Sequence, residues 1–300
     1  MQTLIVKLNA TGDVVRTTPL LHRLEGDATW VTAAKNVVLL DGFGPSLRCF
    51  SWEQRNAALD RRYDLVISLE DELETAVFAQ SAQGDRIFGA LLNGSGEVGY
   101  TDDSRRWFDL SLISVHGRKR ADELKFLNRR TYQELIFEGL GFSFEGEPYV
   151  LPEPAKTDLS GDVAIAPVAG PVWPMKSWPW YDELKARLAA EGLRVNVLPS
   201  RPSLLEHLGD VARHRVLVSG DSLPMHLALG LRKRCVSIFN CTSPWEIYDY
   251  GLQTKLVSPL LGEFFYQRGM DPRATRAISL DCVYAATVEQ LNLMASASAR

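Results

Sequence analysis

The absences in this sequence narrow its class before any motif is read. Four cysteines in 300 residues (Cys49, Cys235, Cys241 and Cys282), none in Cys-x-x-Cys spacing, argue against a disulfide framework and a zinc ribbon. No apolar run approaches the ~20 residues that a membrane-crossing helix needs. The opening Met1-Gln2-Thr3-Leu4-Ile5-Val6-Lys7 has no basic segment, long apolar core or small-residue cleavage site, so it reads as a strand instead of a leader. A cytoplasmic protein with no transmembrane segment is expected, with peripheral membrane association left open. An excess of one charge is missing too: 33 basic against 37 acidic residues give a net charge of -4 and a pI near 5.8. That balance lacks the global positive field of a nucleic-acid binder, so no nucleic-acid partner is expected. Neither a Walker A nor a G-x-G-x-x-G loop is found.

What is present is an ordinary globular composition, 46% hydrophobic and 23% charged. Its length suggests two domains. Short β-branched runs alternate with helix-like segments, the pattern of parallel sheets covered by helices, so the class is α/β. In the first half, Leu4–Leu8, Trp30–Ala33, Asp64–Leu69, Arg86–Ala90 and Leu110–Val115 read as strands. Helices are expected at Thr18–Leu24, Ser51–Asp60, Asp71–Ala82 and Glu123–Leu140, the last stopped by Gly141. The Pro-, Gly- and Glu-rich stretch Glu145–Gly161 reads as a linker, dividing the chain into domains 1–150 and 151–300. In the second half the expected strands are Val163–Pro167, Val195–Pro199, Val216–Ser219, Cys235–Phe239 and Thr254–Val257. Helices at Tyr181–Glu191, Leu204–His214 and Met225–Leu231 separate them, and Thr287–Ala295 forms a weak amphipathic helix before a frayed tail.

Open α/β sheets place ligands beyond the carboxyl ends of their strands, so chemistry belongs in strand-to-helix loops. The loop Leu8 to Pro19 holds Thr11, Gly12 and Asp13; Gly12 permits a turn or a close backbone approach, and Asp13 on spacing alone reads as a helix N-cap before it reads as a base. In Ser219-Gly220-Asp221-Ser222-Leu223-Pro224-Met225-His226, either Asp221 or Ser222 can cap the next helix, whose free N–H groups make an anion site. There His226 suits a phosphate oxygen and a neighbouring backbone group equally well. Lys176 is the one cation in the apolar loop Ala166 to Pro179 and suits a phosphate, although an exposed lysine beside indoles is commoner. Thr242, in Asn240-Cys241-Thr242-Ser243-Pro244, reads first as an ordinary turn residue. Glu70-Asp71-Glu72 reads as acidic residues in a helix's first turn, with no metal. Arg61-Arg62, Arg105-Arg106 and the run His116 to Arg120 are cationic loops, one of which is expected to touch an anionic acceptor.

Taken as an ordered set, these segments resemble the family 9 glycosyltransferases, the heptosyltransferases. The segments are Ile5-Val6-Lys7-Leu8 through Gly12-Asp13-Val14-Val15 and Thr17-Thr18-Pro19, then Tyr63-Asp64-Leu65-Val66-Ile67-Ser68-Leu69, Lys176-Ser177-Trp178-Pro179, Asp221 through Ala228, and Thr242-Ser243-Pro244. The resemblance implies a GT-B fold, two Rossmann-like domains facing across a cleft, with acceptor bound by the N-terminal domain and donor by the C-terminal one. It implies inverting, metal-independent transfer of a heptose from ADP-heptose or a related nucleotide sugar to a saccharide, small-molecule or protein hydroxyl, with no cofactor beyond the donor. By position Asp13 would be the general base. Lys176 would bind the diphosphate, and Thr11, Gly12, Asp221, Ser222, Leu223, His226 and Thr242 would contact the donor, leaving Arg16, Arg61 and Arg120 for the acceptor. The chain departs from the family where Asp221-Ser222-Leu223 replaces Asp-Thr-Gly and where Asn240-Cys241 replaces Gly-Pro. A nucleotide-sugar epimerase or hydrolase and a non-catalytic nucleotide-sugar-binding protein are the alternatives.

Overall fold

The computed structural model describes residues 1–43, 46–111 and 113–298, the last four of these by backbone alone. The chain divides into two compact units, Met1–Pro152 and Glu153–Arg300.

The first unit is built on a six-stranded sheet of β1 (Gln2–Val6), β2 (Asp27–Thr32), β3 (Leu47–Ser51), β4 (Tyr63–Ser68), β5 (Gly84–Leu92) and β6 (Val98–Tyr100), in the order β3-β2-β1-β4-β5-β6. All pairings are parallel except β5 with β6. β1 ends in the apolar run Leu4-Ile5-Val6 because both its faces are covered, as parallel sheets require. Ile5 packs with Trp30, Ile67 and Phe88 on one face. Leu4 and Val6 pack with Val31, Val66 and Phe78 on the other. The covering helices are α1 (Thr11–Thr17), α2 (Leu73–Ser81), α3 (Arg105–Phe108), α4 (Gly117–Leu127) and α5 (Tyr132–Leu140).

The second unit carries β7 (Gly161–Ala166), β8 (Val195–Val197), β9 (His214–Gly220), β10 (Arg234–Phe239) and β11 (Gln253–Val257), all parallel, in the order β11-β10-β9-β7-β8. Its helices are α6 (Tyr181–Ala190), α7 (Leu204–Ala212), α8 (Leu223–Gly230), α9 (Leu261–Phe264), α10 (Pro272–Arg276) and α11 (Leu280–Ser298). Val163, Ile165, Val216, Val218, Val236 and Ile238 form its core against Tyr181, Leu184 and Leu188 of α6 and Val283 of α11.

Each sheet reverses its winding once, between β1 and β4 in the first unit and between β7 and β9 in the second. At such switch points adjacent connections leave on opposite faces and a crevice opens beyond the strand ends.

Several expected elements fall differently. Leu110–Val115 is not a strand; its described residues are turns and bends, and Leu112 lies outside them. The helix expected from Thr18 begins at Thr11 and passes into a 3₁₀ segment at Thr18–His22, so Gly12 is helical and makes no turn. Ser51–Asp60 is 3₁₀ from Trp52. The helix expected over Glu123–Leu140 is two, because Thr131 and Glu134 form a capping box that starts α5 afresh. Gly141 does stop it, at φ +89°. The terminal helix runs from Leu280 to Ser298 instead of Thr287–Ala295.

Candidate functional site

At the first switch point Val6 is paired with Ser68, so Lys7 and Glu70 emerge side by side at the strand ends. Both are buried. Lys7 Nζ donates to Glu70 Oε1 at 2.8 Å, and the same oxygen accepts the backbone N–H of Leu8 at 2.6 Å and of Asn9 at 3.0 Å. Burial works to strip the proton from Lys7, but Glu70, Asp13 and Tyr132 outweigh it, and its proton is held more tightly than usual. Glu70 is therefore not an acid in the first turn of a helix; α2 starts only at Leu73.

Asp13 stands above this pair in the first turn of α1. The N-cap position belongs to Ala10, so Asp13 is not the cap. Its Oδ2 lies 4.0 Å from Lys7 Nζ and its Oδ1 3.0 Å from Arg16 Nε, one helical turn on. A third of the Asp13 side chain remains open to solvent (33%), against 5% for Lys7. The Arg16 guanidinium lies over the Tyr132 ring, 4.0 Å from its centre. The Tyr132 hydroxyl meets Thr17 Oγ1 at 2.9 Å, and burial pushes its pKa up to about 12. Thr11 Oγ1 donates to Asn36 Oδ1 at 2.8 Å, and Asn36 Nδ2 to Leu8 O at 2.7 Å, tying the start of α1 to the sheet.

The second switch point pairs Ala166 with Ser219. A 3₁₀ turn, Pro174–Lys176, is anchored by the buried Met175, which packs with Cys241, Phe264 and Ala274. From it Lys176 Nζ reaches Asp221 Oδ2 at 2.9 Å, and Thr242 Oγ1 donates to the same oxygen at 2.7 Å. Burial opposes the charge on Asp221, but Lys176 and the nearby His226 prevail and hold the carboxyl well below the usual range. Gly220 is required here: a Cβ would stand 2.8 Å from the Lys176 carbonyl oxygen. The loop after β10 is braced from β11, where Lys255 Nζ donates to the carbonyl of Pro244 at 2.8 Å and to that of Ile247.

The start of α8 differs from expectation. Neither Asp221 nor Ser222 caps it through a side chain; Ser222 occupies the N-cap position, but its hydroxyl is directed to Gly220 O at 3.4 Å, and Asp221 is committed to Lys176 and Thr242. Leu223 opens the helix, Pro224 follows where its missing N–H has no intrahelical role, and His226 is buried in the first turn.

The structure thus gathers Thr11, Gly12, Asp13 and Arg16 at one switch point and Lys176, Asp221, Ser222, Leu223, His226 and Thr242 at the other. It does not bring the remaining arginines to the first. Arg61 precedes β4 and donates to Gln2 Oε1 at 3.0 Å, at the amino end of the sheet opposite Asp13. Arg120 is exposed on α4 and paired with Glu123 at 2.9 Å. Sequence reasoning missed Lys7, Glu70 and Tyr132. The signal for the first two was a charged residue just past the carboxyl end of each of two apolar strands; Tyr132 gave none.

Residues 181–261 match the model of glycosyltransferase family 9 (heptosyltransferase). No curated protein matches the chain. Among solved structures, the family 9 glycosyltransferase from Veillonella parvula DSM 2008 is 16% identical, with 97% of each chain covered and a TM-score of 0.68. E. coli heptosyltransferase WaaC, solved with ADP-2-deoxy-2-fluoro heptose, is 17% identical, covering 96% of this chain and 99% of its own, at 0.63. E. coli ADP-heptose lps heptosyltransferase II is 15% identical, covering 98% and 100%, also at 0.63. At these identities the whole-chain likeness is one of fold, that of the GT-B heptosyltransferases. The expected α/β class, with a parallel sheet in each of two domains, holds, and so does the resemblance to family 9.

Proposed function

We propose that this chain, a heptosyltransferase-like glycosyltransferase of family 9, transfers a heptose from ADP-heptose to a hydroxyl acceptor with inversion. The observation that carries the reading is the pairing of opposite chemistries at the two switch points: a half-open carboxylate flanked by two cations in one unit, and a lysine beside a helix start in the other.

In a single displacement the acceptor oxygen attacks the anomeric carbon while the bond from that carbon to the diphosphate oxygen breaks, and ADP leaves with the electron pair. Asp13 takes the acceptor's hydroxyl proton, work for which an ionised carboxylate within hydrogen-bond reach is suited. Charge accumulates on the departing diphosphate. Lys176 and the Leu223 N–H at the start of α8 meet that charge as it grows, stabilising the transition state more than the ground state and supplying what a metal ion supplies in other transferases. Asp221 is a carboxylate and so is assigned to holding Lys176 and to sugar hydroxyls, not to phosphate oxygens. Arg16 is turned onto Asp13 and orients it.

The reading is tested with ADP-heptose and the full chain. The nucleotide sugar raises the melting temperature of the wild type and of Asp13→Asn alike, whereas transfer to an acceptor found by mass spectrometry in incubated cell extract falls at least 100-fold in the variant. Retained turnover in Asp13→Asn removes Asp13 as base. ADP release with no glycosylated product points instead to a hydrolase.

A further inference from the structure

Proton transfer by Asp13 gives no role to the buried pair beneath it. A lysine enclosed as Lys7 is, with its side chain 5% exposed, is costly to ionise unless it is matched, and Glu70 matches it. The match is more than an ion pair. One Glu70 oxygen takes three donors, the Lys7 ammonium and the backbone N–H groups of Leu8 and Asn9, so a single atom fixes both the cation and the chain that leads into α1. The second carboxylate near that ammonium is Asp13, at 4.0 Å.

We propose that Lys7 and Glu70 are positioning residues for Asp13: Glu70 clamps Lys7 and the Leu8–Asn9 backbone so that one buried positive charge stands under the carboxylate and keeps it ready to accept a proton. The inference rests on the reading of Asp13 as base. The charged and titratable groups around Asp13 come from three further elements as well as its own. Lys7 comes from the end of β1, Glu70 from the turn after β4, Arg16 from α1 itself at 3.0 Å, and Tyr132 from α5 with its hydroxyl on Thr17. Lys35, on the 3₁₀ segment Ala34–Leu39 packed against α1, is exposed.

Lys7 and Glu70 act on Asp13 with opposite sign. Lys7→Met removes the attraction that favours the ionised carboxylate, so the Asp13 titration midpoint rises. Glu70→Gln keeps a carbonyl oxygen for the two N–H groups but frees the full Lys7 charge for Asp13, so the midpoint falls. A merely structural role predicts no such pair of opposite displacements.

The test is the pH titration of the Asp13 side-chain carboxyl by carbon-13 NMR of aspartate-labelled full chain, with the signal assigned by its loss in Asp13→Asn. The expected result is a rise of about one pH unit in Lys7→Met and a smaller fall in Glu70→Gln, in the range that one charge at 4 Å exerts on a carboxylate. The double variant Lys7→Met/Glu70→Gln, which buries no net charge, reproduces the rise. If Lys7→Met does not fold, Glu70→Gln and the double variant decide the matter. Midpoints that stay put, or that move the same way in both single variants, overturn the inference. This readout needs no acceptor, so it is separable from the parent reading: turnover in Asp13→Asn would sink the base assignment while leaving the titration result standing.

Discussion

Each unit places a lysine–carboxylate pair across its switch point, yet the two pairs are left in different states. In the first, Lys7 and Glu70 neutralise each other below the surface, and a further carboxylate, Asp13, is left facing outward. In the second, the carboxylate is gripped by Lys176 and Thr242, and Lys176 stands beside the start of α8, with His226 buried in its first turn. One architecture thus presents an outward carboxylate in one unit and, in the other, a lysine beside a helix start. The difference comes from where the carboxylates sit: Glu70 and Asp221 each lie two residues past the paired strand end, but in the first unit a further acid, Asp13, stands 4.0 Å from the lysine.

The comparison breaks most visibly at the lysines. Lys176→Met leaves Asp221 buried with Thr242 as its hydrogen-bond donor, an arrangement that costs about 3 kcal/mol in denaturant melts. It also abolishes the melting-temperature rise with ADP-heptose. Adding Asp221→Asn restores the stability and not the response to donor. Lys7→Met carries a similar stability cost through Glu70 but leaves the donor response in place; loss of that response in Lys7→Met would erase the distinction between the units.

A smaller effect is expected at Gly220, whose methyl in Gly220→Ala must displace the Lys176 carbonyl. The cost is about 1–2 kcal/mol of stability, with donor affinity lowered because Lys176 moves. Unchanged calorimetric donor binding would show that the turn carrying Lys176 is more compliant than its contacts imply.

The smallest effect is set by pH and belongs to the second unit. His214 is buried with Nδ1–H donating to Asp210 O at 2.6 Å and Nε2 accepting from Asn196 Nδ2 at 2.9 Å, so a second proton would face an N–H donor. Burial lowers its pKa below the ordinary 6.5. The unfolded chain then binds the extra proton first, and stability present above pH 6.5 drains away as the pH falls toward the folded-state value. Thermal melts between pH 7 and 5 should show a decline that His214→Phe lessens without removing, since burial lowers the pKa of His207 as well.

Much of this architecture was legible because strands covered on both faces announce themselves as apolar runs, as β1, β4, β9 and β10 do. β3 escaped because Leu47-Arg48-Cys49-Phe50-Ser51 is only partly buried and lacks β-branched residues. β6 escaped because it is three residues long. α1 is hidden by its own composition, since Thr11-Gly12-Asp13-Val14-Val15-Arg16-Thr17 is poor in helix formers and is held helical by the burial of Val14 and Val15. The Thr131-x-x-Glu134 signature that divides α4 from α5 is legible in the sequence as a capping box. At the site, Asp13, Lys176 and Asp221 were visible as loop residues after strands. The ion pairs were not, because Lys7 and Glu70 are 63 positions apart and Lys176 and Asp221 are brought together only by strand order.

The Lys255 strut has an evolutionary consequence. By seizing the carbonyls of Pro244 and Ile247 it fixes the course of the loop after β10 from outside that loop's own sequence. Side chains along the loop are thereby released from determining its shape, and substitution there leaves the main chain on its path. Among descendants of this fold, that stretch is free to change its residues without losing its course.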